Sequence, residues 1–432
     1  MNVVYDISIF GLVEKHRDGR AGIYRVVENL ARALMDSGRC SIRFSAFEEG
    51  FYDHALKHLQ SSSEYRAGFL ARFPHSRMHC QLTGLLAKAE DRVSAASGIK
   101  RMAWRSVRKL AHHSREMFNP DRKNDINLQK AGIYHSPFYP IPKRVREHKN
   151  VRPFLTVYDL IPILHPQYFE RLAGGGDHPV KDIVDGIGRE DWVVCISQKT
   201  KEDLCNYRKD IDPRRVFVTH LGASKWFYPC KDSRAITTVR AKLKIPAKRY
   251  VLSVCTFEPR KNLAHLIRCF AQLIQQERLP DLHLVLVGKL GWKYESIFSE
   301  FNDAQGLRDR IIITGFVADD DLAALYSDAL FFVFPSLYEG FGLPPLEAMQ
   351  CGVPVITSNT SSLPEVVGNA GIMVDPRDGD GLCEAMLRLA SDGSLRAELA
   401  GKSLDQAKHF SWAQCADQTL TAYQTAMSTN VG

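Results

Sequence analysis

Short apolar runs alternate with amphipathic stretches along most of this chain. The runs fall at residues 3–8, 41–47, 131–135, 153–158, 192–196 and 216–219 in the first half. In the second half they fall at 250–255, 282–287, 311–314, 330–334 and 353–357. Runs of this length bounded by turn residues predict strands buried on both faces. Between them apolar residues recur at helical spacing. Over 22–37, Ile23, Val26, Val27, Leu30 and Leu34 form a single stripe, which predicts a helix with one face on a core. Strand–helix alternation of this kind predicts an α/β protein with parallel sheets. The alternation breaks at WFYPCKDSRA (226–235), the expected linker. A length of 432 residues fits two domains of about 200 residues each. The expected domains are 1–228, carrying a basic insertion at 51–130, and 229–411, with a last helix inside 412–432.

Composition narrows the class. Hydrophobic residues make up 45% and charged residues 25%, the balance of a folded soluble protein. No run approaches the ~20 apolar residues of a membrane span. The amino terminus has no basic leader and carries Asp6 within its apolar run, so it reads as a core strand and not a signal peptide. Ten cysteines are scattered without a C-x-x-C, and Cys195, Cys255 and Cys269 lie in apolar patterns. Reduced, buried thiols in a cytoplasmic protein are expected. The chain carries 57 basic and 49 acidic residues, net +8. Residues 51–130 contain 15 Lys or Arg against 7 Asp or Glu, so this segment holds the whole excess. Within it, 95–117 has an apolar stripe flanked by Lys100, Arg101, Arg105, Arg108 and Lys109. Two readings stand: a helix lying on an anionic membrane surface, and a helix packed on its own domain. Nucleic acid is not expected, because no binding module accompanies the charge.

The chemistry concentrates in EGFGLPPLE, 339–347. The run 330–334 predicts a buried strand, which Pro335 and Ser336 end. Gly340 and Gly342 permit a tight turn, Pro344 suits a first helical turn, and the helix runs on to Gly352. A strand, a glycine turn and a helix start present backbone N–H groups to an anion. Glu339 and Glu347 flank that turn, and carboxylates accept hydrogen bonds from sugar hydroxyls. A ligand with hydroxyls on both sides of a phosphate is a nucleotide sugar. The plainer reading is a buried turn with a solvated carboxylate pair; the glycines, the proline and the strand before them favour a site. Arg260 and Lys261 in EPRKN follow another strand and begin a helix, which places them at a carboxyl edge where ligands bind. Cations at a helix start are electrostatically unfavourable without an anion. Both side chains are expected to be solvent-accessible, with Glu258 orienting Arg260. No metal-binding D-x-D stands at a strand end; Asp319–Asp320–Asp321 reads as a helix N-cap. Neither a metal nor a cofactor is expected.

These motifs resemble those of the retaining glycosyltransferases of family four, which have the GT-B fold. EGFGLPPLE is similar to that family's E-x7-E segment. CTFEPRKNL (255–263), VVCISQKTKEDL (193–204), VYDLIPILHP (157–166) and AGIYRVVENL (21–30) resemble further segments in the same order. The resemblance covers most of the chain. It implies two Rossmann-like domains facing across a deep cleft, with the last helix returning to the first domain. It implies that Glu339 contacts the transferred sugar and Glu347 the ribose, while the amides of Gly340, Phe341, Gly342 and Leu343 meet sugar and phosphate. Arg260 and Lys261 then clamp the diphosphate, followed by a helix-capping Asn262, and Gly22 faces the diphosphate from the first domain. Two positions depart from the family pattern: Tyr24 replaces a glycine, and Tyr158 replaces a histidine that would contact the sugar. Asp159 remains as an acceptor-side carboxylate or a turn former. The implied reaction retains configuration without metal, the departing phosphate taking the acceptor proton; a covalent role for Glu339 is less favoured. The expected donor is GDP-mannose, with UDP- or dTDP-sugars as the alternative. The expected acceptor is lipid-linked or a saccharide, in bacterial surface polysaccharide synthesis at the inner face of the plasma membrane. A same-fold epimerase or phosphorylase and a non-catalytic sugar-binding relative are the competing readings. A dinucleotide oxidoreductase is disfavoured because no G-x-G-x-x-G joins the first strand to its helix.

Overall fold

The computed structural model describes residues 1–16, 22–48, 51–73, 106, 128–169, 178–277, 279–304 and 306–429. Apart from residue 106, the basic stretch at 95–117 lies outside the described residues. Twelve strands are described. In the first half they are β1 (Asn2–Asp6), β2 (Ser41–Ser45), β3 (Ile133–Ser136), β4 (Arg152–Val157), β5 (Trp192–Cys195) and β6 (Val216–Val218). In the second half they are β7 (Arg249–Val254), β8 (Leu282–Val287), β9 (Ile311–Gly315), β10 (Phe331–Phe334), β11 (Val355–Ser358) and β12 (Gly371–Val374). They form two six-stranded sheets, ordered β2-β1-β3-β4-β5-β6 and β12-β11-β10-β7-β8-β9. β1 pairs in parallel with β2 and β3, and β7 with both β8 and β10.

Eleven apolar runs correspond to strands, within a residue or two at most ends. The first departs from expectation: β1 ends at Asp6, and a helix, Ser8–His16, begins where the strand was expected to continue. Asp6 ends the strand because its carboxylate accepts from the amides of Ser8 and Phe47 and from the hydroxyl of Tyr134. β12 is an addition; GIMV is only four residues long and half-buried throughout, too weak a pattern to stand out. Asp319, Asp320 and Asp321 form the first helical turn, while Ala318 is the N-cap. Their carboxylates thus favour the helix through its positive end, not through a cap bond.

The chain divides into two compact units. One comprises Met1–Thr156, Gly186–Val193 and Leu420–Gly432; the other comprises Val157–Asp185 and Val194–Thr419. In the first, His135 is buried between the Tyr423 hydroxyl and Thr156 Oγ1, at 2.5 and 2.7 Å. Burial holds its pKa down to about 3, so the ring is neutral at physiological pH. In the second, the chain runs β7→β8→β9 to one side and then returns to lay β10 on the other side of β7. That reversal opens a crevice beyond the carboxyl ends of β7 and β10, the usual ligand position in a parallel sheet. No helix among the described residues is long and apolar enough to cross a membrane.

Candidate active site

The four residues of β10, FFVF, are buried, each worth about 1.5–3 kcal/mol relative to exposure. This fixes the level at which the following loop leaves the sheet. Gly340 packs so closely on the chain before it that a Cβ would lie 2.5 Å from the Tyr158 carbonyl and 2.9 Å from Asp159 Cβ. Gly342 adopts φ 118° as the N-cap of the helix Leu343–Gln350, a conformation that L side chains avoid. Serine and threonine hydroxyls hold the loop from below. Ser361 accepts from the Glu339 amide, Ser362 donates to the carbonyls of Glu339 and Phe341, and Thr200 donates to those of Tyr158 and Gly340.

Arg260 and Lys261 sit on a short 3₁₀ turn, Pro259–Lys261, after β7. Because β7 and β10 are neighbours, this turn meets the Glu339 loop. Lys261 Nζ lies 2.6 Å from Glu339 Oε1, and Arg260 Nη1 lies 2.7 Å from Oε2. Ser336 donates a third bond to Oε1 at 2.6 Å. Arg260 also bonds Glu258 Oε1 at 2.5 Å and the Tyr338 carbonyl at 2.7 Å. Arg260 therefore does have the predicted Glu258 partner. The expected solvent exposure is corrected: the Arg260 and Lys261 side chains are only 13% and 12% exposed. Glu258 and Glu339 neutralise them inside the loop junction, which is what permits burial. Arg260 Nε is buried and donates to no described residue.

Electrostatics follow from this packing. Burial pushes the Glu339 carboxyl up, but Arg260 and Lys261 together pull it further down, to about 2. Burial raises Glu258 despite the same two cations. Asp159 is likewise raised by burial, against a bond from the Ile161 amide and the pull of Arg260. Two carboxyls of opposite displacement thus flank one guanidinium.

The structure brings most of the predicted residues together in the second unit. Glu339, Arg260 and Lys261 are in direct contact, and Asp159 and Tyr158 lie under Gly340. Asp159 Oδ1 caps the turn by accepting from Ile161 N at 2.9 Å. Glu347 stands one turn along its helix, where Oε2 accepts from the Tyr326 hydroxyl at 3.2 Å. The amides of Gly340, Phe341, Gly342 and Leu343 donate to no described residue. Pro344 and Pro345 have no N–H, so Leu343 supplies the only free amide in the first helical turn. The Phe341 ring points away, onto Phe410 and His220. Gly22 belongs to the other unit, as N-cap of the helix Ile23–Asp36 with φ 62°. There Tyr24, at the departed position, is buried with its hydroxyl on His58 and Tyr65.

Asn262 stands at the predicted N-cap of the helix Leu263–Gln276, but its side chain makes no cap bond. It adopts φ 60° and donates to the carbonyls of Pro335 and Pro376, tying three loops together. Sequence reasoning missed this tie, along with Ser336, Ser361, Ser362 and Thr200. Their hydroxyls serve loops distant in sequence; the S-S-L-P run at 361–364 was the available signal. Among the described residues, no three His, Cys, Asp or Glu side chains group closely enough to hold a metal ion.

Comparison with known proteins shows the family and the fold. Residues 235–404 match the family Glycosyl transferases group 1. The chain is 35% identical over 301 residues to O-antigen chain mannosyltransferase B of Escherichia coli, covering 68% of this chain and 74% of that protein. It is 32% identical over 290 residues to the serotype-specific mannosyltransferase WbdA of Escherichia coli. That alignment covers 65% of this chain but only 35% of WbdA. Sucrose-phosphate synthase from Thermosynechococcus elongatus superposes with a TM-score of 0.63 over 98% of both chains, at 21% identity, which shows a shared fold. The protein is a glycosyltransferase of the GT-B fold. It belongs to the group 1 glycosyl transferases.

Proposed function

We propose that this chain transfers mannose from GDP-mannose to a lipid-linked or saccharide acceptor in bacterial surface polysaccharide synthesis. Retention of configuration and independence from metal belong to the same proposal. The observation that carries it is the convergence of Arg260, Lys261 and Glu339 beside four uncommitted amides. Similarity to an O-antigen mannosyltransferase supports the choice of sugar and product class.

The amides of Gly340–Leu343 and the helix start would receive the diphosphate. The orphaned Arg260 Nε and the remaining Lys261 protons would supply the cations that offset charge on the leaving group. Such preorganised charge is worth several kcal/mol of barrier. Glu339, held ionised by its two cations, would accept hydrogen bonds from the sugar hydroxyls. Glu347, one turn into the helix that follows these amides, would accept from the ribose. The departing phosphate oxygen would take the acceptor proton as the new bond forms on the same face.

The test is product analysis by mass spectrometry and NMR. Purified protein is supplied with GDP-mannose, UDP-glucose or dTDP-glucose and a mannose-terminated lipid-linked acceptor. An α-mannosylated product from GDP-mannose alone is expected. Transfer only from a UDP- or dTDP-sugar would overturn the donor assignment, and an inverted product would overturn the mechanism. An epimerised donor without transfer would replace the reading by a same-fold epimerase.

A further inference from the structure

The second unit contains two cysteines that the transfer chemistry leaves unused. Cys269 lies on the helix Leu263–Gln276 and Cys383 on the helix Gly379–Ser391. Cys269 is 2% and Cys383 8% exposed. Cys383 Sγ donates to the Cys269 carbonyl at 3.3 Å, which brings the two cysteines into direct contact between the helices. His265, one turn before Cys269 on the same helix, places Nε2 3.7 Å from Cys269 Sγ. Packing alone does not require a thiol–thiol–imidazole group.

The other buried thiols differ. Burial pushes Cys255, Cys351 and Cys415 up to about 12, which leaves them inert. At the pair, the neighbouring thiols displace each other in opposite directions, Cys383 downward and Cys269 upward. Cys383 is the less buried of the two residues, so it is the one a small oxidant would reach first. His265 is held below its usual range by burial, so at neutral pH it is a free base able to take a proton.

We propose that Cys269 and Cys383 are an oxidative modification site, a dithiol that small peroxides convert reversibly to a disulfide. Cys383 thiolate attacks one peroxide oxygen; the S–O bond forms, the O–O bond breaks, and the leaving hydroxide takes a proton to become water. Cys269 then attacks the Cys383 sulfur as its proton passes to His265. The S–S bond forms, the S–O bond breaks, and a second water leaves. In sum two thiols and one peroxide give one disulfide and two waters, and a cellular thiol reverses the change.

The bond would staple two helices whose starts already meet near the candidate active site. Asn262, which opens the first helix, donates to the Pro376 carbonyl at 2.8 Å, just ahead of the second. The link would join positions 114 residues apart in sequence, a closure that restrains the unfolded chain strongly.

The full-length protein is treated with hydrogen peroxide, blocked with iodoacetamide and digested without reductant. The expected result is one cross-linked peptide pair joining Cys269 to Cys383, lighter by two hydrogens and abolished by dithiothreitol. The oxidised protein should also melt several degrees higher than the reduced one. Cys383→Ser should show neither the cross-link nor the rise, and His265→Gln should form the cross-link several-fold more slowly. Conversion of Cys383 to sulfinic acid while Cys269 remains alkylated would overturn the proposal. So would recovery of both as alkylated thiols while other cysteines oxidise. The wild-type peptide map decides this by itself if either variant fails to fold.

Discussion

Lys261 Nζ and Glu339 Oε1 lie 2.6 Å apart although 78 positions separate them in sequence. The contact exists because the turn after β7 and the loop after β10 leave adjacent strands of one sheet. It makes Glu339 both a candidate ligand for sugar and a structural counter-ion. The resting site therefore holds its cations on a carboxylate, and a donor diphosphate would compete for them.

The first consequence is a pH-dependent stability with a definite sign. Glu339 is depressed to about 2, so its stabilisation is present above the usual carboxylate range and is lost as pH falls through about 2. Glu258 and Asp159 are raised, so they bind a proton more readily in the fold and act in the opposite direction. Glu339→Gln should cost about 3 kcal/mol at pH 7, and the deficit should shrink between about pH 4.5 and 2. Urea midpoints of both proteins across this range measure it; a deficit independent of pH would refute the ion-pair account.

Arg260→Ala and Lys261→Ala should each lower turnover by ten- to a thousandfold, roughly 1.4 to 4 kcal/mol of barrier. Turnover should fall more than donor affinity, because charge on the leaving group peaks in the transition state. Arg260→Ala should also lose about 3–5 kcal/mol of stability, since it strips Glu258 of its bonded cation while that carboxyl stays buried. Steady-state kinetics beside melting curves separate the two effects. A well-folded double variant with parental turnover would remove both residues from the chemistry.

Glu347→Ala should raise the Michaelis constant for donor with a smaller change in turnover, because ribose bonds persist from ground to transition state. The Tyr326 hydroxyl also loses its acceptor, at about 1 kcal/mol of stability. Tyr326→Phe removes that bond alone. An unchanged donor constant in Glu347→Ala would argue against ribose contact.

Transfer should persist in excess EDTA. Loss of activity restored by magnesium or manganese would show that the leaving group depends on a cation the protein does not supply through Arg260 and Lys261.

Replacing Lys100, Arg101, Arg105, Arg108 and Lys109 with Gln should weaken sedimentation with anionic liposomes, each lost charge weakening attraction to the surface. Donor binding should be unaffected. Equal sedimentation of both proteins would remove the membrane-surface reading of this stretch.

Much of this molecule is determined by sequence alone. Buried runs such as FFVF and LHLVLV specify strands because only a two-sided core accepts continuous apolar residues. The stripe from Ile23 to Leu34 specifies a helix, and Gly340, Gly342 and Pro344 specify the turn between strand and helix. Those signals are local: each depends on residues within a few positions of one another. What tertiary structure decided is non-local. The strand order put the EPRKN turn against the EGFG loop, and that proximity buried Arg260 and Lys261 and ionised Glu339. It also drew Asn262 away from its helix to Pro335 and Pro376, and set Ser362 beneath a loop more than twenty positions earlier. A hydrogen bond or ion pair between distant segments leaves no periodic trace, because its geometry comes from the sheet that carries both partners.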